Sequence, residues 1–358
     1  MKGNKMDITF VLPGPSKLPS GGFKVVFEYA NSLILHGHTI RIVFARDPSK
    51  SRHRNIPDFI KKLRYYAMIQ YYPRWFHLNE KVQKIPAYFG ITDSTIPDGD
   101  VVIATAVETA AGVNGLSDIK GKKFYFIQGY EAWYEWTPQA VEATYHYKMQ
   151  NIVITKWLEQ KVKSTGASCV LVPNGINFKD FYIENPIEKR KLHTISMLYN
   201  SLEVKGSKYG IAALKILKEK YPDLKAFLFG VPSRPKELPD WIEYTQNASP
   251  DQIRKIYNHS AIYLYPAIED GFGLTGAEAM ACGTAYVASD YGGVHEYAKN
   301  GVNVLLSQPR DVDGLVNNVI SLFEEDEKRI LLAKQGHADI QKFSLNQAVE
   351  KFEKVIRR

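Results

Sequence analysis

Short apolar runs alternate with longer helix-forming segments along the whole chain of 358 residues. Such alternation predicts parallel sheets with helices on both faces. The pattern restarts after residue 173, so the expected fold class is α/β, with two Rossmann-like domains whose parallel sheets face across a cleft. The predicted strands are Ile8–Leu12, Ile40–Phe44, Val101–Ala104, Phe124–Gln128, Asn151–Thr155, Cys169–Val172, Thr194–Leu198, Ala226–Gly230, Ala261–Tyr265, Ala285–Ser289 and Val304–Ser307.

The stretch from Ile268 to Gly283 is predicted to form a loop and a helix start after a buried strand. Gly271 and Gly273 would let the backbone approach a ligand, and the helix N-terminus would offer unpaired N–H groups to an anion. The carboxylates of Asp270 and Glu278 are acceptors suited to neutral hydroxyl groups. Both properties fit a sugar nucleotide, although for a lone glycine pair an ordinary junction with a solvated acidic loop would be the preferred interpretation.

This stretch resembles the donor-site motif of the retaining glycosyltransferases of family 4, which have the GT-B fold. Ten positions match that motif in order and spacing: Asp270, Gly271, Phe272, Gly273, Leu274, Glu278, Ala279, Met280, Ala281 and Gly283. The resemblance implies that Asp270 contacts the donor sugar, that Glu278 grips the ribose hydroxyls, and that residues 271–274 and Thr275 line the donor site. The family usually has Glu at the first acid, so the shorter Asp270 is expected to reach its sugar through a shifted pose or a water.

The domain boundary is expected at Pro173-Asn174-Gly175, where turn chemistry ends a strand. The family has a similar Pro-Asn-Gly phrase at this point. The resemblance implies an acceptor-binding domain over residues 1–173 and a nucleotide-sugar-binding domain over residues 174–343. It also implies that the final helix, within residues 344–358, packs back on the first domain.

Lys205 matches the Lys of an Arg and Lys pair that commonly holds the donor diphosphate in the family, but Asn200 stands in the Arg place. One fixed charge is therefore missing from the implied donor site, unless Lys208 or a helix N-terminus compensates. A surface lysine before a helix is the alternative for Lys205. Gly21 and Gly22 begin a predicted helix and could approach phosphate or sugar oxygens, with a plain turn as an equal alternative.

Gln128 stands close to the place where many family members carry a His near the reacting sugar. The phrase Gln128-Gly-Tyr-Glu131 looks like a subgroup that includes bacterial rhamnosyltransferases. Gln can orient a sugar hydroxyl but cannot exchange a proton near neutral pH. Glu131 is then the nearby candidate for binding or activating the acceptor hydroxyl, with a solvated loop acid as the alternative. Asp270, Gln128 and Glu131 form the predicted catalytic set.

A second glycine phrase, Gly292-Gly293 followed by Glu296, repeats the strand, loop and helix pattern. It matches the family's Gly-Gly-x-x-Glu phrase. We expect these three residues to form a wall of the donor pocket through backbone contacts.

The net charge of +8 lies entirely in the first half: residues 1–173 hold 22 Lys and Arg against 14 Asp and Glu, while residues 174–358 hold 24 of each. Residues 50–84 are basic and aromatic, and residues 59–72 can form a helix with Lys61, Lys62 and Arg64 on a polar face. This composition suits a segment lying on an anionic membrane surface, and a core-facing helix with a solvated basic side suits it equally. Nucleic acid is not an expected partner, because no recognition motif is visible.

The resemblance implies a metal-independent, hexosyltransferase-type enzyme that moves a sugar from a nucleotide diphosphate to a glycan or lipid-linked acceptor with retention. Bacterial cell-surface polysaccharide synthesis is the expected setting. The donor is a substrate, and no cofactor and no metal site are expected. Two alternatives remain at this point: a nucleotide-sugar isomerase or hydrolase on the same fold, and a non-catalytic glycan-binding relative.

Two cysteines far apart, Cys169 and Cys282, favour a reducing compartment and no metal cluster. The short apolar run Ile8–Leu12 is too brief for a signal peptide core or a membrane span. We therefore expect a cytoplasmic protein, with a peripheral position on the inner face of the membrane as a further option.

Overall fold

A computed structural model describes residues 4–47, 56–132 and 136–358 of the chain. The chain divides into two compact units. Unit 1 comprises Met1–Pro173 and Asn346–Arg358, and unit 2 comprises Asn174–Leu345. Within the described residues, no helix combines the length and apolar composition that crossing a bilayer requires.

Unit 1 is built on a seven-stranded parallel sheet with the strand order β3-β2-β1-β4-β5-β6-β7. The chain runs outward in one direction from β1 and then in the other from β4, so β1 and β4 flank the point where the order reverses. Ligands of such sheets bind beyond the carboxyl ends of strands at this point. The strands are β1 (Asp7–Pro13), β2 (Thr39–Ala45), β3 (Gln83–Ala87), β4 (Val101–Ala104), β5 (Lys122–Ile127), β6 (Gln150–Val153) and β7 (Cys169–Leu171).

In the part of the chain that the structure describes, five α-helices of unit 1 lie between its strands in chain order, and a sixth follows unit 2. Helix α1 begins at Gly21, as expected, and ends at Leu35, beyond which Gly37 takes a positive φ of 95°. The glycine therefore stops the helix in the left-handed region that favours it. The helices are α1 (Gly21–Leu35), α2 (Asp58–Tyr71), α3 (Val107–Asn114), α4 (Pro138–Thr144), α5 (Lys156–Ser164) and the C-terminal α11 (Leu345–Ile356).

Helix α11 completes the core of unit 1, although unit 2 precedes it in the chain. Its buried residues follow helical spacing, and Phe352 at their centre is fully buried. The Phe352 ring lies 5.0 Å from the ring of Tyr29, 5.2 Å from Phe126 and 6.1 Å from Phe10, measured between centroids. Burial of one such ring stabilises the fold by about 2–3 kcal/mol.

A charged cluster fixes the other side of α11. The Glu353 carboxylate lies 2.7 Å from His36 Nδ1, 3.0 Å from His38 Nε2 and 2.6 Å from Arg357 Nη2. The Met6 amide donates to His38 Nδ1 at 3.1 Å, so His38 presents an N–H at Nε2 to Glu353. Burial opposes ionisation of Glu353, but the hydrogen bonds from Arg357, His36 and His38 lower its pKa to about 2.

Unit 2 repeats the design with a six-stranded parallel sheet in the order β10-β9-β8-β11-β12-β13. Its order also reverses once, between β8 and β11. The strands are β8 (Thr194–Tyr199), β9 (Lys225–Gly230), β10 (Ile242–Gln246), β11 (Ile262–Tyr265), β12 (Ala285–Ser289) and β13 (Leu305–Ser307). The helices are α6 (Ser207–Lys220), α7 (Pro250–His259), α8 (Leu274–Ala281), α9 (Val312–Glu324) and α10 (Asp326–Ile340).

The expected α/β class, with two Rossmann-like parallel sheets, is confirmed. Strands β3 and β10 were not expected from the sequence, and both lie at the outer edge of their sheets. Unit 2 extends to Leu345, slightly beyond residue 343.

Candidate functional site

The site in unit 2 begins where β8 ends. Asn200 orders the turn that follows, because its side-chain oxygen accepts from the Leu202 amide and its own amide donates to Ser207 Oγ, both at 2.9 Å. A single 3₁₀ turn then leads to Lys205, and Gly206 adopts a left-handed φ of 65° before α6 starts. Asn200 therefore shapes the loop that carries Lys205.

A second loop, after β11, lies directly against the first. The Val204 carbonyl accepts from the amides of Ile268 at 2.8 Å and Glu269 at 3.2 Å. Gly206 packs on the backbone carbonyl of Pro266, with no room for a side chain between them. These backbone contacts bring together Lys205 and Asp270, which are 65 residues apart in sequence.

Asp270 accepts hydrogen bonds at both carboxylate oxygens. Its Oδ2 lies 2.7 Å from Lys205 Nζ and also accepts from the Tyr265 hydroxyl. Its Oδ1 accepts from the Phe272 amide at 3.3 Å. Burial alone would raise the pKa of Asp270, but the charge and hydrogen bond of Lys205, with the Tyr265 and Phe272 donors, hold it below its ordinary value. The carboxylate is thus kept ionised in a site where only 18% of its side chain is exposed.

The glycine loop after Asp270 ends at the N-terminus of α8. Gly273 caps this helix with a φ of 79° and offers no side chain to the N–H groups of the first turn. The first turn, with Leu274 and Thr275, contains no acidic residue. Its N–H groups and the helix dipole therefore favour an anion at this point. Glu278 lies one turn further along α8 and is 4% exposed.

The Gly292-Gly293 phrase packs on the glycine loop from the other side. Asp270 pairs with Gly292 in an isolated parallel bridge, and the carbonyls of Asp270 and Gly271 lie against Gly293. A 3₁₀ turn follows from Gly293 to Glu296, which is half-buried. These three residues were expected to line the donor pocket through their backbone, and the structure brings the two glycines to the motif loop.

Buried tyrosines hold the glycine loop through hydrogen bonds to its backbone carbonyls. Tyr297 donates its hydroxyl to the Gly273 carbonyl at 3.0 Å, and Tyr291 donates to the Phe272 carbonyl at 3.3 Å. The Tyr291 hydroxyl lies 2.7 Å from that of Tyr297 and 3.0 Å from that of Tyr286. The loop conformation is therefore fixed by side chains outside the motif. Sequence reasoning missed these three tyrosines.

In unit 1, the structure brings together Gly22 and Gln128, two predicted site residues. They lie at the start of α1 and just after β5, beyond the carboxyl ends of the strands. A Cβ atom on Gly22 would lie 3.6 Å from Gln128 Nε2 and 3.7 Å from Gln128 Oε1. Gly21 begins the same helix turn. The Gln128 amide is thus placed at the N-terminus of α1.

Glu131 binds to a different element. Its Oε2 accepts from the Val107 amide at 2.6 Å, at the first residue of α3. Burial raises the pKa of the Glu131 carboxyl to about 7, against the opposing effect of the Val107 hydrogen bond. Glu131 therefore caps the N-terminus of α3 from a loop that is 24 residues away in sequence. The sequence did not reveal this contact. Residues 133–135, shortly after Glu131, lie outside the described residues.

The two units and their sheets define the class of the protein. The fold matches that of the crystal structure of Anabaena Alr3699/HepE in complex with UDP-glucose, with a TM-score of 0.75 over 98% of this chain and 99% of that chain, at 14% identity. This is the GT-B glycosyltransferase fold.

Residues 179–339 match the model of the family described as glycosyl transferases group 1. The lipopolysaccharide 1,2-N-acetylglucosaminetransferase of Salmonella typhimurium is 28% identical over 107 residues, which cover 29% of this chain and 28% of that protein. The O-antigen chain mannosyltransferase B of Escherichia coli is 29% identical over 104 residues, which cover 29% of this chain and 27% of that protein. The match thus spans under a third of the length of either relative.

Proposed function

We propose that this protein is a glycosyltransferase that moves a sugar from a nucleotide diphosphate to an acceptor hydroxyl. The observation that carries the proposal is the contact of Lys205 with Asp270 beside the N-terminus of α8. A cation and a helix N-terminus suit a diphosphate, whereas an ionised carboxylate suits sugar hydroxyls. Nucleotide sugars contain both groups.

Each site residue has a proposed role in this reaction. Lys205 and the first-turn amides of α8 stabilise the charge that develops on the departing diphosphate. Asp270 contacts the donor sugar, and Glu278 binds the ribose hydroxyls. In unit 1, Gly21, Gly22 and Gln128 contact phosphate or sugar oxygens, and Glu131 binds the acceptor hydroxyl.

We also propose that the chain belongs to the retaining family 4, near its rhamnosyltransferase-like subgroup, and acts in bacterial surface polysaccharide synthesis. The motif match over residues 270–283 supports the family, and similarity to lipopolysaccharide and O-antigen transferases supports the pathway. The reaction needs no metal and no cofactor, so chelation with EDTA should leave the rate unchanged. The anomeric configuration of the product tests retention, and an inverted product contradicts it.

A thermal-shift screen with UDP-, dTDP- and GDP-sugars tests the donor class. A ligand that binds only the native state raises its melting temperature. We expect one nucleotide series to stabilise the wild type and Glu278→Ala to lose that shift. Incubation of the same sugars without acceptor tests the alternatives: rapid formation of an epimer or free sugar would indicate an isomerase or hydrolase. No shift and no transfer with any donor would leave a non-catalytic relative.

We further propose that helix α2 lies on an anionic membrane surface at the cytoplasmic face. Its inner side is anchored by Tyr65 and Ile69, but Phe59 is 72% exposed and Leu63 is 70% exposed. Phe89 lies close by, 60% exposed, with Lys62 Nζ 5.2 Å from the centre of its ring. Exposed apolar side chains beside basic ones are typical of interfacial helices. The predicted basic residues Lys50, Arg52 and Arg54 lie outside the described residues.

Vesicle sedimentation tests this surface. The wild type should sediment with vesicles of phosphatidylglycerol and phosphatidylcholine, and less at high salt, because exposed charges are screened. The double variant Phe59→Ser and Leu63→Ser should lose sedimentation. Leu331→Ser is the matched control, since Leu331 is 68% exposed on α10 of unit 2. Equal sedimentation of both variants would remove the membrane proposal and leave the transferase proposal intact.

A further inference from the structure

Tyr265 ends β11 and is only 1% exposed, yet its hydroxyl reaches the motif carboxylate. Its ring is held on two sides, edge-on to Tyr291 at 5.3 Å and stacked on Tyr263 at 6.1 Å between centroids. The hydroxyl therefore has little freedom to leave Asp270. None of the roles assigned above includes this residue.

Toward the ionised Asp270 carboxylate, the Tyr265 hydroxyl can act only as the donor. Burial, followed by the neighbouring charge of Asp270, raises the pKa of Tyr265 well above its ordinary value. The hydroxyl thus stays protonated over the whole range in which an enzyme works. It points its proton at Asp270 Oδ2, the same oxygen that Lys205 contacts.

A bound ligand can draw one of the two donors away from Asp270 Oδ2 but not the other. Lys205 is a flexible cation, and a diphosphate competes with Asp270 for it. Tyr265 is neutral, buried and unable to follow a phosphate. When Lys205 turns to the diphosphate, Tyr265 and the Phe272 amide still hold the carboxylate.

We propose that Tyr265 is a positioning residue that holds the Asp270 carboxylate and keeps it aimed at the donor sugar while Lys205 binds the diphosphate. This inference rests on the proposed transferase function. It also accounts for an Asp at this place, because a rigid donor from β11 fixes the shorter side chain. The charged and titratable groups that surround Asp270 are Lys205 from the loop before α6, Tyr265 from β11, and Tyr291 and Tyr297 from the segment after β12.

The test compares Tyr265→Phe with the wild type and with Tyr257→Phe. Tyr257 is a matched control, since it is fully buried in unit 2 and its hydroxyl has no hydrogen-bond partner among the described residues. We expect Tyr265→Phe to lose about tenfold in kcat/KM for the donor, mainly in kcat, because a hydrogen bond to a charged group is removed. The acid limb of its pH profile should move up by about one pH unit. Tyr257→Phe should change neither quantity.

A merely structural role would lower the melting temperature without moving the acid limb, and that result would overturn the inference. Asp270→Asn separates the two proposals: if it abolishes transfer while Tyr265→Phe behaves as wild type, the transferase function stands and the Tyr265 role falls. If the wild type transfers no sugar, an NMR titration of the Asp270 carboxyl carbon decides the matter. A higher Asp270 pKa in Tyr265→Phe would support the positioning role while the transferase function fails, and an unchanged pKa would overturn the positioning role.

Discussion

Gly206 and Pro266 touch backbone to backbone, and this contact sets the distance between the two loops that carry Lys205 and Asp270. A Cβ atom on Gly206 would overlap the Pro266 carbonyl, and its φ of 65° is itself unfavourable for other residues. The ion pair at the centre of the site thus depends on a position without a side chain.

Gly206→Ala should therefore both destabilise the protein and weaken donor binding. The matched control is Gly301→Ala, because Gly301 has a φ of 74° but open space around its Cβ position. The control should lose about 1 kcal/mol of unfolding free energy from backbone strain alone. Gly206→Ala should lose about 2 kcal/mol more, because its Cβ atom would overlap the Pro266 carbonyl. Urea unfolding and a donor thermal shift measure the two effects. Equal losses in both variants would show that the Pro266 contact is unimportant.

Glu131→Gln should change how stability depends on pH. The pKa of Glu131 is raised to about 7 in the folded state, so the folded protein binds its proton more tightly than the unfolded chain does. The wild type therefore loses stability as pH rises from about 4.5 to about 7. The variant keeps an acceptor for the Val107 amide but has no proton to release.

Melting temperatures from pH 4.5 to pH 8 test this expectation. The advantage of Glu131→Gln over the wild type should grow across that range, by on the order of 2–3 kcal/mol in unfolding free energy. The exposed Glu80 of unit 1 provides the control, Glu80→Gln, which should track the wild type. A constant difference between Glu131→Gln and the wild type would contradict the raised pKa. Loss of transfer in the variant would support the acceptor role.

Glu353→Gln should weaken the docking of α11. The pKa of Glu353 lies near 2, below its value in an unfolded chain, so the carboxylate contributes stability above the unfolded pKa and loses it as pH falls through about 2. We expect a loss of about 2 kcal/mol at pH 7. Glu350→Gln, at an exposed position on the same helix, should have little effect. Urea unfolding at pH 7 and pH 3 would detect the change, and a loss that fails to shrink at low pH would contradict the ion pairing.

Gly22→Ala should fold like the wild type. The added Cβ would make only ordinary contacts with Gln128, the nearest at 3.6 Å. If the glycine is present so that a ligand can approach the N-terminus of α1, the variant should lose at least about tenfold in transfer rate with little change in melting temperature. Full activity would return Gly22 to the role of a plain turn residue.

Buried central strands and exposed edge strands differ in how clearly the sequence marks them. Central strands such as β1 and β11 are buried on both faces, so they appear as continuous apolar runs and were predicted. Strands β3 and β10 pair on one side only and are partly exposed, with Pro86 in β3, so no apolar run marks them.

The contacts within the site also depend on tertiary packing. The motif predicted Asp270 and Lys205 as separate contributors, but only the backbone contacts of Val204 and Gly206 show that the two touch. The Tyr265 donor and the Glu131 contact with α3 were missed because each depends on which strands and loops become neighbours in the sheet. Local patterns identify the residue types of a site, whereas tertiary neighbours determine their charges.

The position of Phe352 has a consequence for synthesis. Every residue of unit 2 leaves the ribosome before Phe352 does, so unit 2 can close its sheet while the core around Phe10, Tyr29 and Phe126 still lacks its central ring. Domains usually fold in the order in which they are made. Here the unit that holds the first strand is completed last, and an early stop before residue 352 would leave unit 2 whole and unit 1 with an open apolar face.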